Sequence, residues 1–553
     1  MLVRVRDVAI RTLLSPAGWI VGIAIFLYSK WAKAQYDALT VGACDLGIFY
    51  QAVQGWANGG WPMVPIKGYV QLGDHFSPAF ALLSPLVWIH DEAITLVYAQ
   101  IVLICLSGIP IYHIFRRRYG ILVGSGMLVA YLASHAVLGT VAFPVHEVMF
   151  GALFLAWGLE RMLAGKWTQA TILFAALITV KEDGGLLCVL LGLYALFNRR
   201  WRHGAFLIGW GVVWFVVTLK FIIPNLNPGG FTYAKDYQAS LHADGLFAGI
   251  PYMLSHPMEI LGLMTDQPAK VDTWQQLLIP VGFAALASPL ALLIVPIMLS
   301  RMLSSRETQW SSDLYYDMPL MPILFAAAAD GFRRIGSLVD RARGLGPDPD
   351  PQLPPRRPTA GNTATAGTGE PPEPTATDST GEPAEPTATA DEPAAPRGRR
   401  PWWNPRTATV LAAVAAPLFV WFAVQDARDH KIVQWYQGTA PEFNNVGIVG
   451  EAPEALSRIP RDVTVRATNN LLIPLLPTNE VTLIGSNVDK GDWAIIDNWN
   501  PSCPIGRKEL PQIKAQLDRM GFRQIYVSPS KRLVVLQRTA PAVQPIRGTG
   551  TAS

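Results

Sequence analysis

Two apolar runs decide the architecture: ILVGSGMLVAYLASHAVLGT at Ile121–Thr140 and AFLIGWGVVWFVVTLKFII at Ala205–Ile223. Apart from Tyr131 and His135 the first carries no ionisable side chain, and the second carries only Lys220. A run of about 20 apolar residues matches the thickness of a bilayer's hydrocarbon core. The rest of the chain repeats the pattern in blocks of roughly 15 to 22 residues, mostly free of charge, as transmembrane helices require. Half of the 553 residues are hydrophobic and only 16% are charged, which is low for a soluble protein of this length. A large soluble core would show shorter apolar runs with amphipathic periodicity. The expected fold is therefore an α-helical multi-pass membrane protein of the cell membrane.

The net charge of +4 says less than where the charges sit. Basic clusters at Arg4/Arg6/Arg11, Arg116–Arg118, Arg199/Arg200/Arg202, Arg333/Arg334 and Arg397/Arg399/Arg400 belong on the cytoplasmic side by the positive-inside rule. The N-terminal basic and apolar stretch lacks a small-residue cleavage site after Trp31 and reads as an uncleaved span with a cytoplasmic N-terminus. Eleven spans satisfy the bias: 16–33, 93–115, 121–141, 148–163, 167–181, 184–198, 204–223, 273–287, 288–303, 317–332 and 407–424. Long outer segments fall at 34–92 and 224–272. The partner these spans imply is the lipid bilayer, with no nucleic acid.

Five regions make up the expected organisation. Residues 1–335 form the transmembrane domain, and 336–405 a cytoplasmic linker rich in Pro, Thr, Ala and Glu. Within it GEPPEPTAT at Gly369 recurs as GEPAEPTAT at Gly381, a composition too poor in apolar side chains to offset chain entropy, so disorder is expected. After the span at 406–424, residues 425–540 read as a small extracytoplasmic α/β domain. Its strands are Val463–Ala467, Glu480–Ile484, Trp493–Asp497, Gln524–Val527 and Leu533–Gln537, with a helix at Lys508–Met520 ended by Gly521. The tail 541–553 reads as disordered. Of the four cysteines, Cys105 and Cys188 read as core; a disulfide between Cys44 and Cys503 is open, and no metal-ligand spacing appears.

Five polar clusters interrupt the apolar pattern. They are CDLGIFYQAVQGW with Asp45, GDHFSP with Asp74 and His75, FPVHEV with His146 and Glu147, VKEDGG with Lys181, Glu182 and Asp183, and SRETQWSSDLYYDMP, which with Arg301 just before it carries Arg306, Tyr315, Tyr316 and Asp317. All five fall on the outer side of a topology fixed by basic clusters elsewhere. Ionisable groups at membrane depth usually face a cavity or pathway. Carboxylates beside His, Lys and Arg form a general base next to an anion site. This set suits transfer from a lipid-phosphate donor. Each cluster also has a plainer reading. Asp45 caps the helix that follows it, and Asp74 and His75 precede the Ser77-Pro78 helix entry. His146 pairs with Glu147, Lys181 with Asp183, and Arg301, Arg306 and the tyrosines anchor the interface. Asp45, Asp74, Glu147 and Asp183 would hold a divalent cation if they converged.

At these clusters the chain resembles a family of bacterial membrane proteins known as domain of unknown function 2079. CDLGIFYQAVQGW and GDHFSPAFALLSPLVW look like its DLGIF-Q and DHFSP signatures. VKEDGGLLCVLLGLYAL, LASPLALLIVPIMLSRMLS and YYDMPLMPILFAAAADG look like its later blocks. VTVRATNNLLIPLLPTNEVTLIG with GDWAIID resembles its C-terminal portion. Tyr315-Tyr316 departs from the His-Tyr often found there. The family is itself similar to the C-type (GT-C) glycosyltransferases, such as protein O-mannosyltransferases and aminoarabinose transferases, which use polyprenyl-phosphate sugar donors. Their first outer loop carries the acidic catalytic residue, and Asp45 matches it by position. Asp74 and His75 loosely match a later motif of that loop.

The resemblance implies an inverting glycosyltransferase with a lipid-linked sugar donor and an extracytoplasmic glycan or protein acceptor. In that reading Asp45 is the base. Asp74, His75, His146, Glu147, Glu182 and Asp183 shape the pocket, Lys181 and Arg301 face the donor phosphate, and the C-terminal domain helps bind the acceptor. Two other readings compete: a transporter or flippase for lipid-linked or anionic solutes, and a non-catalytic cell-envelope assembly protein. A transporter would place ionisable residues near mid-membrane on repeated, broken helices. No internal repeat is visible among the spans, and the clusters lie at span ends.

Overall fold

A computed structural model describes residues 15–344, 406–429 and 446–539, apart from 144, 228, 246, 487–489 and 502. The basic clusters at Arg4/Arg6/Arg11 and Arg397/Arg399/Arg400, most of the expected linker and the C-terminal tail lie outside the described residues. The first helix, Pro16–Asp37, starts as its sequence demands. Ser15 accepts a hydrogen bond from the Gly18 amide, and Pro16 takes the first turn, where a missing N–H costs nothing.

The helix at Ile94–Leu132 is two antiparallel helices joined at Gly120, whose φ of 90° and ψ of 174° reverse the chain. That backbone region is open to glycine alone. The reversal brings Ser107 back against Tyr131, with 2.7 Å between their hydroxyls. It falls beside Arg116–Arg118, where the charge pattern expects a turn between two spans. The next two elements, His135–Ala142 and Val148–Leu163, are separated by the His146–Glu147 link. Helices Gly184–Phe197 and Trp201–Val217 form another tight hairpin. Here Gly192 and Gly204 face each other so closely that a Cβ on either would meet the other's carbonyl within 2.9 Å. Small residues allow this approach where packing alone holds helices together.

Two helical stretches among the described residues are long and apolar enough to cross a membrane, Ile94–Leu132 with its reversal at Gly120 and Trp201–Leu226, and shorter apolar helices accompany them. The two spans expected at 273–287 and 288–303 are not continuous helices. Only Pro268–Leu278 and Val295–Met302 are α-helical there, and three 3₁₀ turns lie between them. Pro280, Pro289 and Pro296 remove backbone donors, and Gly282 and Phe283 take positive φ. Within a membrane such irregular backbone is tolerated where it is buried in protein or lines a water-filled cavity. The Leu320–Ala342 helix covers it: Gly331 leaves room for the Ala284 carbonyl, and Ser288 donates to Asp330 at 2.9 Å.

In the first outer segment a short ribbon pairs β1 (Met63–Val64) with β2 (Tyr69–Val70). The C-terminal region holds a five-stranded sheet of β3 (Thr464–Ala467), β4 (Glu480–Leu483), β5 (Trp493–Asp497), β6 (Phe522–Val527) and β7 (Leu533–Arg538). Their order is β4-β3-β5-β7-β6, with β3 parallel to β4 and β5, and β7 antiparallel to β5 and β6. Helix Leu510–Arg519 precedes β6. The sheet's five strands fall on the five segments expected from the sequence, with ends shifted by at most two residues. At the end of the two middle strands β5 and β7, Arg532 grips Asp497 through two hydrogen bonds of 3.0 and 2.8 Å, both side chains buried. Removing either partner of such a pair costs about 3–5 kcal/mol.

Cys44 and Cys503 are disulfide-bonded, which ties the first outer segment to the C-terminal sheet region. Cys105 and Cys188 are free and buried, as expected.

Candidate active site

Asp45 stands at the N-cap of helix Leu46–Ala57, yet its carboxylate makes no capping hydrogen bond. Its Oδ1 instead lies 3.3 Å from His146 Nε2, and its side chain remains 34% exposed while His146 is buried. His146 is fixed from several sides. Its backbone N–H donates to Gln100 Oε1 at 2.8 Å, and Gln100 Nε2 donates to the Thr140 and Phe143 carbonyls. Its ring stacks on Tyr315 at 3.6 Å and meets Phe49 edge-on.

From His146 the cluster continues by alternating peptide bonds and ion pairs. Glu147 follows in sequence and lies 3.0 Å from Lys181 Nζ. Glu147 is buried, and neither carboxylate oxygen makes a well-aligned hydrogen bond, so Lys181 supplies its compensation through charge. Glu182 follows Lys181, 2.9 Å from His75 Nδ1, and accepts the Phe76 amide at 3.2 Å. Asp74 precedes His75 and pairs with Lys67. It also accepts from Tyr233 at 3.3 Å and more weakly from Tyr69 at 3.4 Å. Tyr233 stacks on His75 at 4.8 Å, with Arg306 over its ring. Four of the five sequence clusters thus form one connected array, and the fifth joins through Tyr315.

In the outer loop the charges set the protonation states. Burial alone would raise the Asp74 pKa, but His75, Lys67 and the hydrogen bonds from Lys67 and Tyr233 hold it below the ordinary value. Burial and Lys181 press His75 towards neutrality, but Glu182 and Asp74 overcome them and hold its pKa above the ordinary value.

Two expected site residues sit differently. Asp183 is exposed at the start of helix Gly184–Phe197 and makes no capping bond. Arg301 is buried and turned inward: it pairs with Asp317 and donates to the Gln309 and Ser311 carbonyls at 3.0 and 3.2 Å. All but one of its directions are already occupied by protein. The four carboxylates considered as cation ligands do not converge. Among the described residues no three His, Cys, Asp or Glu side chains gather to hold a metal ion. Asp74, Glu147 and Glu182 each have a cationic partner instead.

Residues 35–345, more than half of the chain, match the family model described as "Predicted membrane protein (DUF2079)". The chain belongs to this family. Among solved structures, this DUF2079 protein is similar to ArnT from Cupriavidus metallidurans bound to undecaprenyl phosphate. The TM-score is 0.52 at 12% identity, covering 96% of this chain and 99% of that one. The apo state of the same ArnT aligns with a TM-score of 0.48 at 12% identity, over 94% and 98% of the two chains. No curated protein matches the chain. The mostly helical fold with a C-terminal sheet is therefore ArnT-like, of the GT-C type anticipated above.

Sequence reasoning missed Lys67, Tyr233 and Gln51. Lys67 was visible as the one lysine of the loop that carries Asp74. Tyr233 lies in the second outer segment, where nothing in the pattern marks one tyrosine among several. Gln51, the glutamine of the DLGIF-Q stretch, binds two distant backbones. It donates to the Val481 carbonyl at 3.0 Å and accepts from the Ile66 amide at 3.1 Å.

Proposed function

We propose that this DUF2079 protein transfers a sugar from a polyprenyl-phosphate donor to an extracytoplasmic acceptor. One observation carries the reading. Asp45 is a half-open carboxylate, free of its capping duty and oriented by His146, at the edge of a buried array of charges. A carboxylate so placed accepts a proton from an attacking hydroxyl. The acceptor oxygen bonds to the anomeric carbon as the bond from that carbon to the phosphate oxygen breaks. The proton passes to Asp45, polyprenyl phosphate leaves, and the configuration inverts. Lys181, one-fifth exposed, neutralises the departing phosphate as a point charge. Arg301, already satisfied by Asp317 and two carbonyls, supports the loop that carries Tyr315 rather than the phosphate.

His146 fixes the orientation of Asp45, while His75, Glu182 and Asp74 hold the outer loop against the helix corner at Lys181. The fold shared with ArnT, a protein solved with undecaprenyl phosphate, supports a lipid phosphate as the donor's leaving group. The outward placement of the site rests on the charge bias of the loops.

The test is Asp45→Asn in the full chain, reconstituted in vesicles and offered a panel of undecaprenyl-phosphate sugars. Release of undecaprenyl phosphate is the readout. General-base catalysis contributes about 10²–10⁴-fold, and a loss of that size is expected. Unchanged turnover in a correctly folded variant would remove Asp45 from the chemistry.

A further inference from the structure

The residues just before Asp45 are held by the C-terminal sheet region, 426 positions away in sequence. Asn469 does most of the holding. Its Oδ1 accepts from the Ala43 amide at 2.6 Å and from the Cys44 amide at 2.9 Å. Its backbone carbonyl also accepts from the Ala43 amide, at 3.2 Å. Gly42 lies flat against the same side chain: a Cβ there would stand 2.5 Å from Asn469 Nδ2. Cys44 is bonded to Cys503. One turn into the helix after Asp45, Gln51 is fastened to the Val481 carbonyl of β4.

The clamp is itself anchored. Asn469 follows β3 with only Thr468 between them. Its neighbour Thr468 donates its amide to the Ile495 carbonyl of β5 at 3.1 Å and accepts the Asp497 amide on its hydroxyl at 3.0 Å. Asn470 donates to Asp497 at 3.3 Å, and Asp497 is locked by Arg532. A chain of hydrogen and peptide bonds therefore runs from Arg532 through Asp497 to Thr468 and Asn470, the two neighbours of Asn469, and from Asn469 to the residue before Asp45, which itself meets His146.

The location within the sheet is informative. β3 and β5 are neighbouring parallel strands, and Asn469 and Asp497 lie at their carboxyl ends. In open α/β sheets that end is where ligands bind. Here it is filled by the protein's own Gly42–Cys44 backbone. The natural ligand crevice of the sheet grips the loop of the candidate base, where acceptor binding would otherwise be sought.

We propose that Asn469 is a positioning residue for Asp45, and that the C-terminal sheet region, through Asn469 and the Cys44–Cys503 bond, sets the geometry of the candidate active site. This rests on the transferase reading. A misplacement of about 1 Å at a reacting group costs up to about 100-fold in rate, which is the effect expected when the clamp is released.

The experiment compares Asn469→Ala, Asn469→Asp and wild type as full chains in detergent. Hydrogen exchange is followed by mass spectrometry over residues 40–50, and turnover with the undecaprenyl-phosphate sugars. Asn469→Ala should raise exchange at Ala43 and Cys44 about tenfold and lower kcat about 10- to 100-fold, with KM for the donor moving less than about threefold. Asn469→Asp keeps the accepting oxygen and should restore both. Unchanged exchange at Ala43 and Cys44 overturns the clamp, and lost kcat that Asp does not restore overturns the positioning role. Should Asn469→Ala loosen the whole sheet, Gly42→Ala presses on the clamp from the other side and leaves the sheet's own residues intact. It must reproduce the local exchange, or the proposal fails. If wild type turns over none of the donors, the transferase reading fails, while the exchange results still decide the clamp.

Discussion

Two ends of the helical bundle bury charge in opposite ways. At one end Glu160 pairs with its neighbour Arg161 and with Arg117, and Asp330 pairs with Arg333 and Arg334, one turn along its own helix. At the other end Asp45 meets His146, Lys181 meets Glu147, and Glu182 meets His75 across 107 residues of chain. The two ends lie about 24 Å apart along helix Val148–Leu163, at 1.5 Å per residue. Three of these four pairs lie within four residues of chain and the fourth, Glu160 with Arg117, joins neighbouring helices; such pairs neutralise charge where helices end. Pairs drawn from three loops require that the whole bundle be assembled first. They also leave Asp45 and Lys181 partly open, whereas the carboxylates of the first end are closed. The contrast separates charges paired mainly within a helix from charges gathered at the candidate site.

The contrast breaks most sharply at two glutamates, both fully or almost fully buried. Glu147→Gln strips Lys181 of its counter-charge, and breaking a buried pair in this way costs about 3–5 kcal/mol. Turnover should fall with it, because Lys181 loses its fixed position. Glu160→Gln should cost less, about 1 kcal/mol, since Arg117 and Arg161 are 45% and 23% exposed and can turn to solvent. Its turnover should stay near wild type. Thermal unfolding in detergent and release of undecaprenyl phosphate check both. Equal losses of turnover in the two variants would erase the distinction between the ends.

Much of this arrangement was legible beforehand, for a definite reason. An ionisable residue in an apolar chain is conspicuous, so Asp45, Asp74, His75, His146, Glu147 and Lys181 identified themselves. The C-terminal strands were legible because short runs rich in Val, Ile and Leu are bounded there by turn-forming and polar residues. The pairings were not legible. Nothing local tells His75 that its partner is Glu182, or Ala43 that its partner is Asn469. Those contacts come from loop closure over most of the chain. Arg301 looked like an anion ligand by type, but its neighbour Asp317 and two carbonyls claim it. The breaks between 279 and 294 were hidden because the apolar content of a buried irregular segment equals that of a helix. Prolines at 280, 289 and 296 were the available signal.

A second way to sharpen the comparison uses pH. His75 is held above its ordinary pKa by Glu182 and Asp74. Its bonding to Glu182 therefore contributes in full below about pH 6.5, the unperturbed histidine value, and is lost as pH rises through the higher folded value. A hydrogen bond between charged partners contributes about 1.5–3 kcal/mol. Unfolding temperatures of wild type and His75→Gln should differ most near pH 6 and converge towards pH 9. A difference constant over that range would mean that the imidazole stays neutral and that Glu182 holds the loop through the Phe76 amide alone.

The smallest effect tests whether an ion pair counts merely by being present. Lys33 and Asp37 pair at 2.6 Å near the end of the first helix, eight residues before Asp45. By distance alone this pair is tighter than that of Lys181 and Glu147. Yet both side chains are about half exposed and lie one turn apart on the same helix. Water already screens them, and an exposed pair at this spacing contributes only about 0.3–0.5 kcal/mol. Asp37→Asn should therefore shift the unfolding temperature by no more than a degree or two and leave turnover unchanged. A large loss in that variant would mean that position in the sequence, rather than burial and long-range assembly, decides which charges matter, and the division between the two ends of the bundle would fall with it.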